Sequence, residues 1–200
     1  QHTSPIEQVQ LTFHIKMPLF VFGQLVRHRT ASLNAQSARY SVMKDEFYIP
    51  DIARKQSEVN RQGSVMTDDR ALTHRMRAIM EEITRISYSA YESLLEAGVA
   101  REMSRIILPQ NLYTEFYWTQ DLHNLLHLLK LRLDGHAQWE IQKYAQAMFE
   151  LTHKVAPLTV EAWERHRKDS LTLSSYEVAM LREVLTSEVL EQLSTTLDDR

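Results

Sequence analysis

Nine consecutive residues near the start of the chain alternate apolar and polar side chains without a break. Residues 9–17 read Val-Gln-Leu-Thr-Phe-His-Ile-Lys-Met, and a period of two predicts a strand with one buried face. Pro18 follows, and residues 19–26 are so apolar that we expect a buried helix. A strand that buries only one face and is followed directly by a buried helix predicts a core between a sheet and helices.

Later segments extend this pattern. Residues 112–119 are rich in aromatic and β-branched side chains and predict a strand, and residues 46–50 predict a short strand closed by Pro50. Apolar spacings of three and four predict further helices over residues 72–95, 101–108, 122–133, 138–152 and 174–197. The sequence therefore predicts an α+β fold, in which a small antiparallel sheet of three or four strands has helices segregated around it.

Finer features of these elements are also predicted. Ser4 is expected to cap a short first helix, and Asp68 or Asp69 is expected to cap the long helix that ends at Gly98. The polar residues 51–69 predict a long mobile surface loop. In the helix over residues 138–152 we expect these side chains to face inward: Ile141, Tyr144, Ala145, Met148 and Leu151.

Composition narrows the class of protein. A chain of 200 residues with 44% hydrophobic content predicts a single domain over residues 1–200. The chain has no cysteine, so disulfides and a cysteine nucleophile are excluded. We see no apolar run of about 18 residues and no leader, so we expect no membrane span and a cytoplasmic location. The sequence pI near 6.3 argues against a nucleic-acid-binding module.

The stretch from residue 27 to residue 40 is strongly basic. It contains Arg27, His28, Arg29 and Arg39 with small polar side chains between them and no acidic residue. Guanidinium groups bind phosphate or carboxylate in bidentate geometry, so the stretch predicts an anion site. The alternative is a solvated basic loop at the end of a helix, whose dipole favours cations. That alternative does not account for Arg39.

Two histidines invite a test for zinc. His123 and His127 have the i,i+4 spacing of helical zinc ligands, and His136 follows. The protease motif needs Glu beside the first histidine, where this chain has Asn124. We therefore predict no metal and favour a polar helix face that lines a ligand cleft. A glycine-rich phosphate loop is also absent from the sequence.

The basic stretch carries a resemblance. Arg27-His28-Arg29, seven residues, then Ser37-Ala38-Arg39-Tyr40 resembles the signature of the flavin-dependent thymidylate synthases. Three further segments are similar to that family in the same order: residues 2–7, 105–114 and 131–145. By this resemblance residues 1–168 match the family and residues 169–200 form a C-terminal helical extension. An N-terminal segment of the family is expected to be missing.

The resemblance implies a fold, a reaction and an assembly. The family reductively methylates dUMP to dTMP with methylenetetrahydrofolate, FAD and NADPH, as a homotetramer whose active sites are shared between subunits. The reduced flavin supplies the hydride, so the reaction needs no enzyme thiolate, which agrees with the absence of cysteine. No nucleic acid, membrane or metal is expected as a partner.

The resemblance also implies site residues. The residues that would bind dUMP are Gln24, Leu25, Val26, Arg27, Ala35, Gln36, Ser37, Ala38, Arg39, Arg105 and Arg132. The residues that would bind FAD are Ser4, Glu7, Arg27, His28, Arg29, Ala35, Asp121, Leu122, His123 and His127. Arg132 would be catalytic, because it would lie against the uracil and stabilise negative charge as N3 loses its proton.

One position departs from the family pattern. Where the family usually reads Asn-Glu-x-Ser, this chain has Asn34-Ala35-Gln36-Ser37, so a carboxylate that serves both ligand sites is replaced by a methyl group. The sequence therefore leaves open an alternative, a catalytically impaired relative that binds FAD and nucleotide.

Overall fold

The computed structural model describes residues 2–59, 63–168 and 170–185. The chain divides into two compact units, Gln1–Pro157 and Leu158–Arg200. The elements, in chain order, are α1 (Ser4–Glu7), β1 (Gln10–Pro18), α2 (Leu19–Leu25), β2 (Ser32–Ala35), β3 (Arg54–Gln56), β4 (Ser64–Met66), α3 (Arg70–Glu96), α4 (Arg101–Ser104), β5 (Tyr113–Asp121), α5 (Leu122–Arg132), α6 (Trp139–Val155), α7 (Pro157–Trp163) and α8 (Ser175–Val184).

The centre of the first unit is a three-stranded antiparallel sheet. Its strand order is β1-β5-β2, so β5 pairs on both sides. The alternation predicted for the first strand is confirmed, because the even positions from 10 to 16 are exposed while Leu11, Phe13, Ile15 and Met17 are buried. Phe13 lies opposite Trp118, which is also buried. Together with the surrounding helices, this sheet confirms the α+β prediction.

Helices α2, α5 and α6 pack against the buried face of the sheet. Phe22 of α2 contacts Phe116 of β5, with ring centroids 4.9 Å apart. The Tyr144 hydroxyl of α6 donates to the Lys16 carbonyl of β1 over 2.9 Å. Five leucines of α5 are buried: Leu122, Leu125, Leu126, Leu128 and Leu129. The helices predicted over residues 19–26, 122–133 and 138–152 are therefore confirmed.

One predicted core residue of α6 is wrong. Leu151 is 50% exposed, and Thr152 is fully buried in its place. Thr152 lies seven residues after Ala145, two helical turns along the same buried face, whereas Leu151 lies to the side of that face. The Thr152 hydroxyl donates to the Met148 carbonyl over 2.7 Å, which satisfies the polar group that the core encloses.

The long helix α3 begins and ends as predicted. Asp69 caps it by accepting from the Leu72 N–H over 2.9 Å, and Gly98 follows its end with φ of +81°, a conformation that favours glycine. Only Thr84 and Tyr91 of the helix are buried. Its apolar stripe, which we define as Ile79, Met80, Ile83 and Ile86, is exposed.

Two predictions between β2 and α3 are wrong. Residues 46–50 form no strand, only a single bridge between Phe47 and Leu112, and Pro50 has no N–H to extend it. Residues 51–69, expected to be a loop, contain the hairpin β3–β4. Both of its strands are half-buried or exposed, so they lack the apolar alternation that identifies a strand. Residues 60–62 lie outside the described residues.

Two short helices differ in detail from their predictions. The cap of α1 is Thr3 and not Ser4, which is the first helical residue. The Thr3 hydroxyl donates to the Glu7 carboxylate over 2.6 Å, and this contact spans the turn. The helix predicted over residues 101–108 is α4, continued by a 3₁₀ turn at Arg105–Ile107.

The second unit is helical where it is described. A π-helical turn, Glu164–Lys168, follows α7, and α8 begins with a capping box formed by Ser174 and Glu177. The predicted start of the tail helix is thus confirmed, whereas residues 186–197 of that prediction lie outside the described residues. Across the described ranges, no helix is both long and apolar enough to cross a membrane.

Candidate active site

The basic stretch begins where α2 ends. Leu25 is the last helical residue, and the Arg27 and His28 N–H groups fold back onto the Gln24 and Leu25 carbonyls over 3.3 and 3.0 Å. Arg27 and Arg29 are exposed. The Lys and Arg ion pairs found among residues 2–59, 63–168 and 170–185 involve other cations. Two guanidinium groups with no carboxylate partner in the described part of the chain thus lie beside a helix end.

Arg132, at the end of α5, reaches the same place. Its Nε donates to His28 Nε2 over 2.9 Å, and its Nη2 donates to the Gln24 carbonyl over 3.3 Å. The fold therefore brings Arg132 to Gln24 and His28, from which it is separated by more than a hundred residues in the sequence. Two hydrogen bonds fix the plane of the Arg132 guanidinium and leave other N–H groups to meet a ligand.

His28 is neutral at physiological pH. Burial, followed by electrostatic repulsion from Arg132 and from His127, lowers the pKa of His28 to about 4. Burial also lowers the pKa of Arg132 from its ordinary value, although an arginine stays protonated at neutral pH. The neutral imidazole can therefore accept the hydrogen bond that the guanidinium donates.

A second basic cluster forms around α4. Arg39 Nη2 lies 3.2 Å from the Glu102 carboxylate, and Arg105 Nε donates to the Glu102 carbonyl over 3.4 Å. Ser37 and Gln36 belong to the turn that leads here, since Ser37 Oγ accepts from the Arg39 N–H and the Gln36 N–H donates to the Glu115 carbonyl. The predicted residues Arg39 and Arg105 are thus neighbours, 66 positions apart in the sequence.

The start of α5 holds a third group of predicted residues. Asp121 caps this helix, because its carboxylate accepts from the Asn124 N–H over 3.0 Å and from the Asn124 amide over 2.7 Å. Leu122 is buried, and its N–H donates to the Val9 carbonyl over 2.8 Å. His123 and His127 follow on the helix. Within the described ranges, no three His, Asp or Glu side chains are grouped to hold a metal ion.

The remaining predicted residues lie on α1, α2 and β2. Ser4 and Glu7 belong to α1, which lies beside α5. Ala35 ends the edge strand β2, is exposed, and pairs with Phe116. Residues directly opposite each other in a ladder point to the same face, so the Ala35 methyl group is on the face that elsewhere forms the core. Of the other three predicted residues, Leu25 is buried, Val26 is the C-terminal cap residue of α2, and Ala38 follows β2 and packs half-buried against a core cluster.

The structure adds a polar network that sequence reasoning missed. The Glu140 carboxylate is 4% exposed. Arg54 pairs with its Oε1, the Tyr48 hydroxyl donates to the same oxygen over 3.1 Å, and Gln138 Nε2 donates to Oε2 over 2.8 Å. Gln138 Oε1 in turn accepts from Gln24 Nε2. We call these five residues the Glu140 network.

Charge and burial determine the protonation states of Glu140 and Tyr48 in this network. Burial raises the pKa of Glu140, but the hydrogen bonds from Arg54 and Gln138 outweigh it, so the pKa lies below its ordinary value. Burial and the adjacent Glu140 raise the pKa of Tyr48 to about 12. Glu140 is therefore ionised and Tyr48 is protonated at neutral pH. A glutamate immediately before the buried Ile141 is the only sequence signal we find for this network.

Four members of the Glu140 network, all except Gln24, line a cavity of about 470 Å³. Its apolar side includes Phe20 and three residues of the α3 stripe, Ile79, Met80 and Ile83. Arg54 also lies over the Trp139 ring, 5.2 Å from its centroid. The hairpin, α3 and the start of α6 thus line one cavity. Gln24 connects it to the Arg132 site, because its side chain contacts Gln138 and its backbone carbonyl contacts Arg132.

Comparison with known proteins decides the family. The family model described as "Thymidylate synthase complementing protein", Thy1, matches residues 1–158. The chain belongs to this family. The match includes the basic stretch, Arg105, Arg132 and the Glu140 network. The family resemblance found in the sequence is therefore confirmed.

Relatives in the Thy1 family are similar over nearly the whole chain. A flavin-dependent thymidylate synthase of Thermus thermophilus is 50% identical over 199 residues, which are 98% of this chain and 72% of the relative. The enzyme of that name from Treponema denticola is 44% identical over 192 residues, 94% of this chain and 72% of the relative. Both relatives carry the name of the enzyme family that the basic stretch resembles.

A solved structure has the same fold. The crystal structure of the UMP/dUMP methylase PolB from Streptomyces cacaoi, bound with 5-Br UMP, has a TM-score of 0.78 and 30% sequence identity. The similarity covers 85% of this chain and 79% of that chain. The fold predicted from the resemblance is therefore confirmed.

Proposed function

We propose that this chain is a flavin-dependent thymidylate synthase, a methyltransferase that converts dUMP to dTMP. The observation that carries the proposal is Arg132, which His28 and the Gln24 carbonyl hold beside the basic stretch. The names of relatives 41–50% identical to this chain support the same activity. They give no support to an impaired relative.

In this proposal two basic clusters hold the two ends of dUMP. Arg39 and Arg105, which both contact Glu102, would bind the phosphate together with Arg27 and the turn at Ser37, because guanidinium groups bind phosphate in bidentate geometry. Arg132 would lie against the uracil. Its half-buried guanidinium would stabilise the charge that develops as N3 loses its proton, since an oriented donor acts more strongly where water is excluded.

The residues proposed for FAD suit an anionic dinucleotide. Arg27 and Arg29 are exposed cations without carboxylate partners among the described residues, which fits the pyrophosphate. His28 and the α5 histidines add ring edges, and Ser4, Glu7, Asp121 and Leu122 come from the adjoining ends of α1 and α5. When bound and reduced by NADPH, FAD would supply the hydride, and methylenetetrahydrofolate would supply the carbon.

We further propose a cytoplasmic homotetramer whose active sites lie between subunits. The support is the apolar stripe of α3, in which Ile79 and Ile83 are each 54% exposed and Ile86 is 48% exposed. Leu33 is 42% exposed although it pairs with the buried Trp118. An exposed apolar stripe such as that of α3 marks an interface. Other copies of the chain would cover it and enclose the ligands.

An absorption experiment tests the proposed function. Purified protein is mixed with FAD, made anaerobic and given NADPH, with and without dUMP. We expect bound flavin that bleaches at a rate that depends on dUMP, and formation of dTMP once methylenetetrahydrofolate is added. If no flavin binds, the proposed function is wrong. If flavin binds but does not bleach, the result favours the catalytically impaired relative as the function of this chain.

A further inference from the structure

We propose that Gln138 and Glu140 are positioning residues that fix the orientation of the Gln24 amide. In that orientation Gln24 presents its carbonyl oxygen, and not its amino group, to the pyrimidine of the substrate. This inference rests on the proposed function, because it assumes that a pyrimidine nucleotide binds beside Gln24 and Arg132. It assigns the choice between uracil and cytosine to residues that act on the substrate through Gln24.

The polarity of the network follows from its charged end. An ionised carboxylate can only accept hydrogen bonds, so the atom of Gln138 that faces Glu140 must be Nε2. Gln138 Oε1 then faces Gln24, and an oxygen there can only accept, so Gln24 must present Nε2 to it. Reversing the Gln24 amide would place two carbonyl oxygens against each other.

Glu140 is itself held in the charged state. Arg54, a donor under all conditions, pairs with its Oε1, and the Tyr48 hydroxyl donates to the same oxygen. The side chain of Arg54 is 16% exposed and that of Glu140 is 4% exposed, so removing either charge alone would leave the other buried without its counter-ion. The orientation of two neutral amides is therefore determined by a buried ion pair.

The position of Gln138 points to the same role. Gln138 is the cap residue of α6, where a polar side chain commonly accepts from the helix N–H groups. Its side chain makes no such hydrogen bond. Its amide instead joins Glu140 to Gln24, a residue 114 positions away in the sequence.

A fixed carbonyl oxygen distinguishes pyrimidines. Uracil carries an N3–H donor before its proton leaves, whereas cytosine has an N3 acceptor flanked by an amino group. The Gln24 carbonyl oxygen would accept from uracil N3–H and would oppose the lone pair of cytosine N3. A site with a hydrogen bond built for one ligand rejects the ligand that leaves it unpaired. The network therefore favours dUMP over dCMP.

The test compares the dissociation constants of dUMP and dCMP by titration calorimetry on the FAD-loaded protein. In Glu140→Gln, residue 140 can either donate or accept, so both amides can reverse. In Gln138→Met the connection is cut while Arg54, Tyr48 and Glu140 keep their contacts. The matched control is Gln142→Met, because Gln142 is also on α6 and donates to the Ala137 carbonyl over 2.6 Å.

We expect the wild type and Gln142→Met to prefer dUMP by at least about tenfold, and both network variants to lose about tenfold of that preference. A purely structural role would weaken both ligands equally, so an unchanged ratio in Gln138→Met overturns the inference, even if Glu140→Gln fails to fold. A wild type that binds both nucleotides equally also overturns it, with the proposed function intact. A wild type that binds no dUMP removes the proposed function and the inference with it.

Discussion

The neutral state of His28 makes the stability of the protein depend on pH in a calculable way. The pKa of His28 is about 4 in the folded chain against an ordinary 6.5, so the unfolded chain binds the proton more tightly. A group of this kind contributes stability that is fully present above pH 6.5 and is lost as the pH falls toward 4. The perturbation is therefore acidification from pH 7 to pH 5, where the folded ring stays neutral.

The magnitude follows from the two pKa values. Taken at face value, they give a loss of at most about 1.9 kcal/mol in the free energy of unfolding between pH 7 and pH 5. His28 is only half-buried, and solvent screens part of its interaction with Arg132. We therefore expect a loss of about 1 kcal/mol that belongs to His28.

The assay compares the wild type with His28→Gln, which keeps an acceptor for Arg132 Nε but cannot titrate. Urea denaturation at pH 7 and pH 5, at one fixed protein concentration, gives the free energy of unfolding of each. The carboxylates titrate in both proteins and cancel in the difference. We expect the wild type to lose about 1 kcal/mol more than His28→Gln. Equal losses in the two proteins would refute the reasoning.

Three further predictions test the site and the assembly. Arg132→Ala should abolish dTMP formation, at least about a hundredfold by product assay, while the melting temperature stays within a few degrees; retained turnover would remove Arg132 as the activating group. Ala35→Glu should change the rate by less than about tenfold, and a larger gain would favour the impaired relative. Ile83→Glu should yield smaller species in size-exclusion chromatography with light scattering, whereas His74→Glu, on the opposite side of α3, should not; unchanged size in the first variant would contradict the proposed interface.

The elements that bury one face could be predicted from the sequence. Strand β1 has a period of two because alternate residues enter the core, and α5 shows its leucines for the same reason. The hairpin β3–β4 could not be predicted, since neither strand buries a face. The apolar stripe of α3 could be predicted from its spacing. The spacing does not indicate whether this chain or another copy covers the stripe.

The site divides in a similar way. Arg27, Arg39, Arg105 and Arg132 could be selected by resemblance, since each belongs to a local motif. Their grouping into two clusters is a property of the fold, because it depends on contacts across tens of residues. The Glu140 network left little trace in the sequence. Its members come from distant segments, and none of them repeats at a spacing that a pattern can detect.

The hydrogen bond between Arg132 and His28 also determines which tautomer the histidine adopts. A guanidinium can only donate, so His28 Nε2 must carry the lone pair. The single hydrogen of the neutral ring is then on Nδ1. The opposite edge of the imidazole therefore offers an N–H group, and any ligand atom that meets it must be an acceptor, such as a carbonyl or phosphate oxygen.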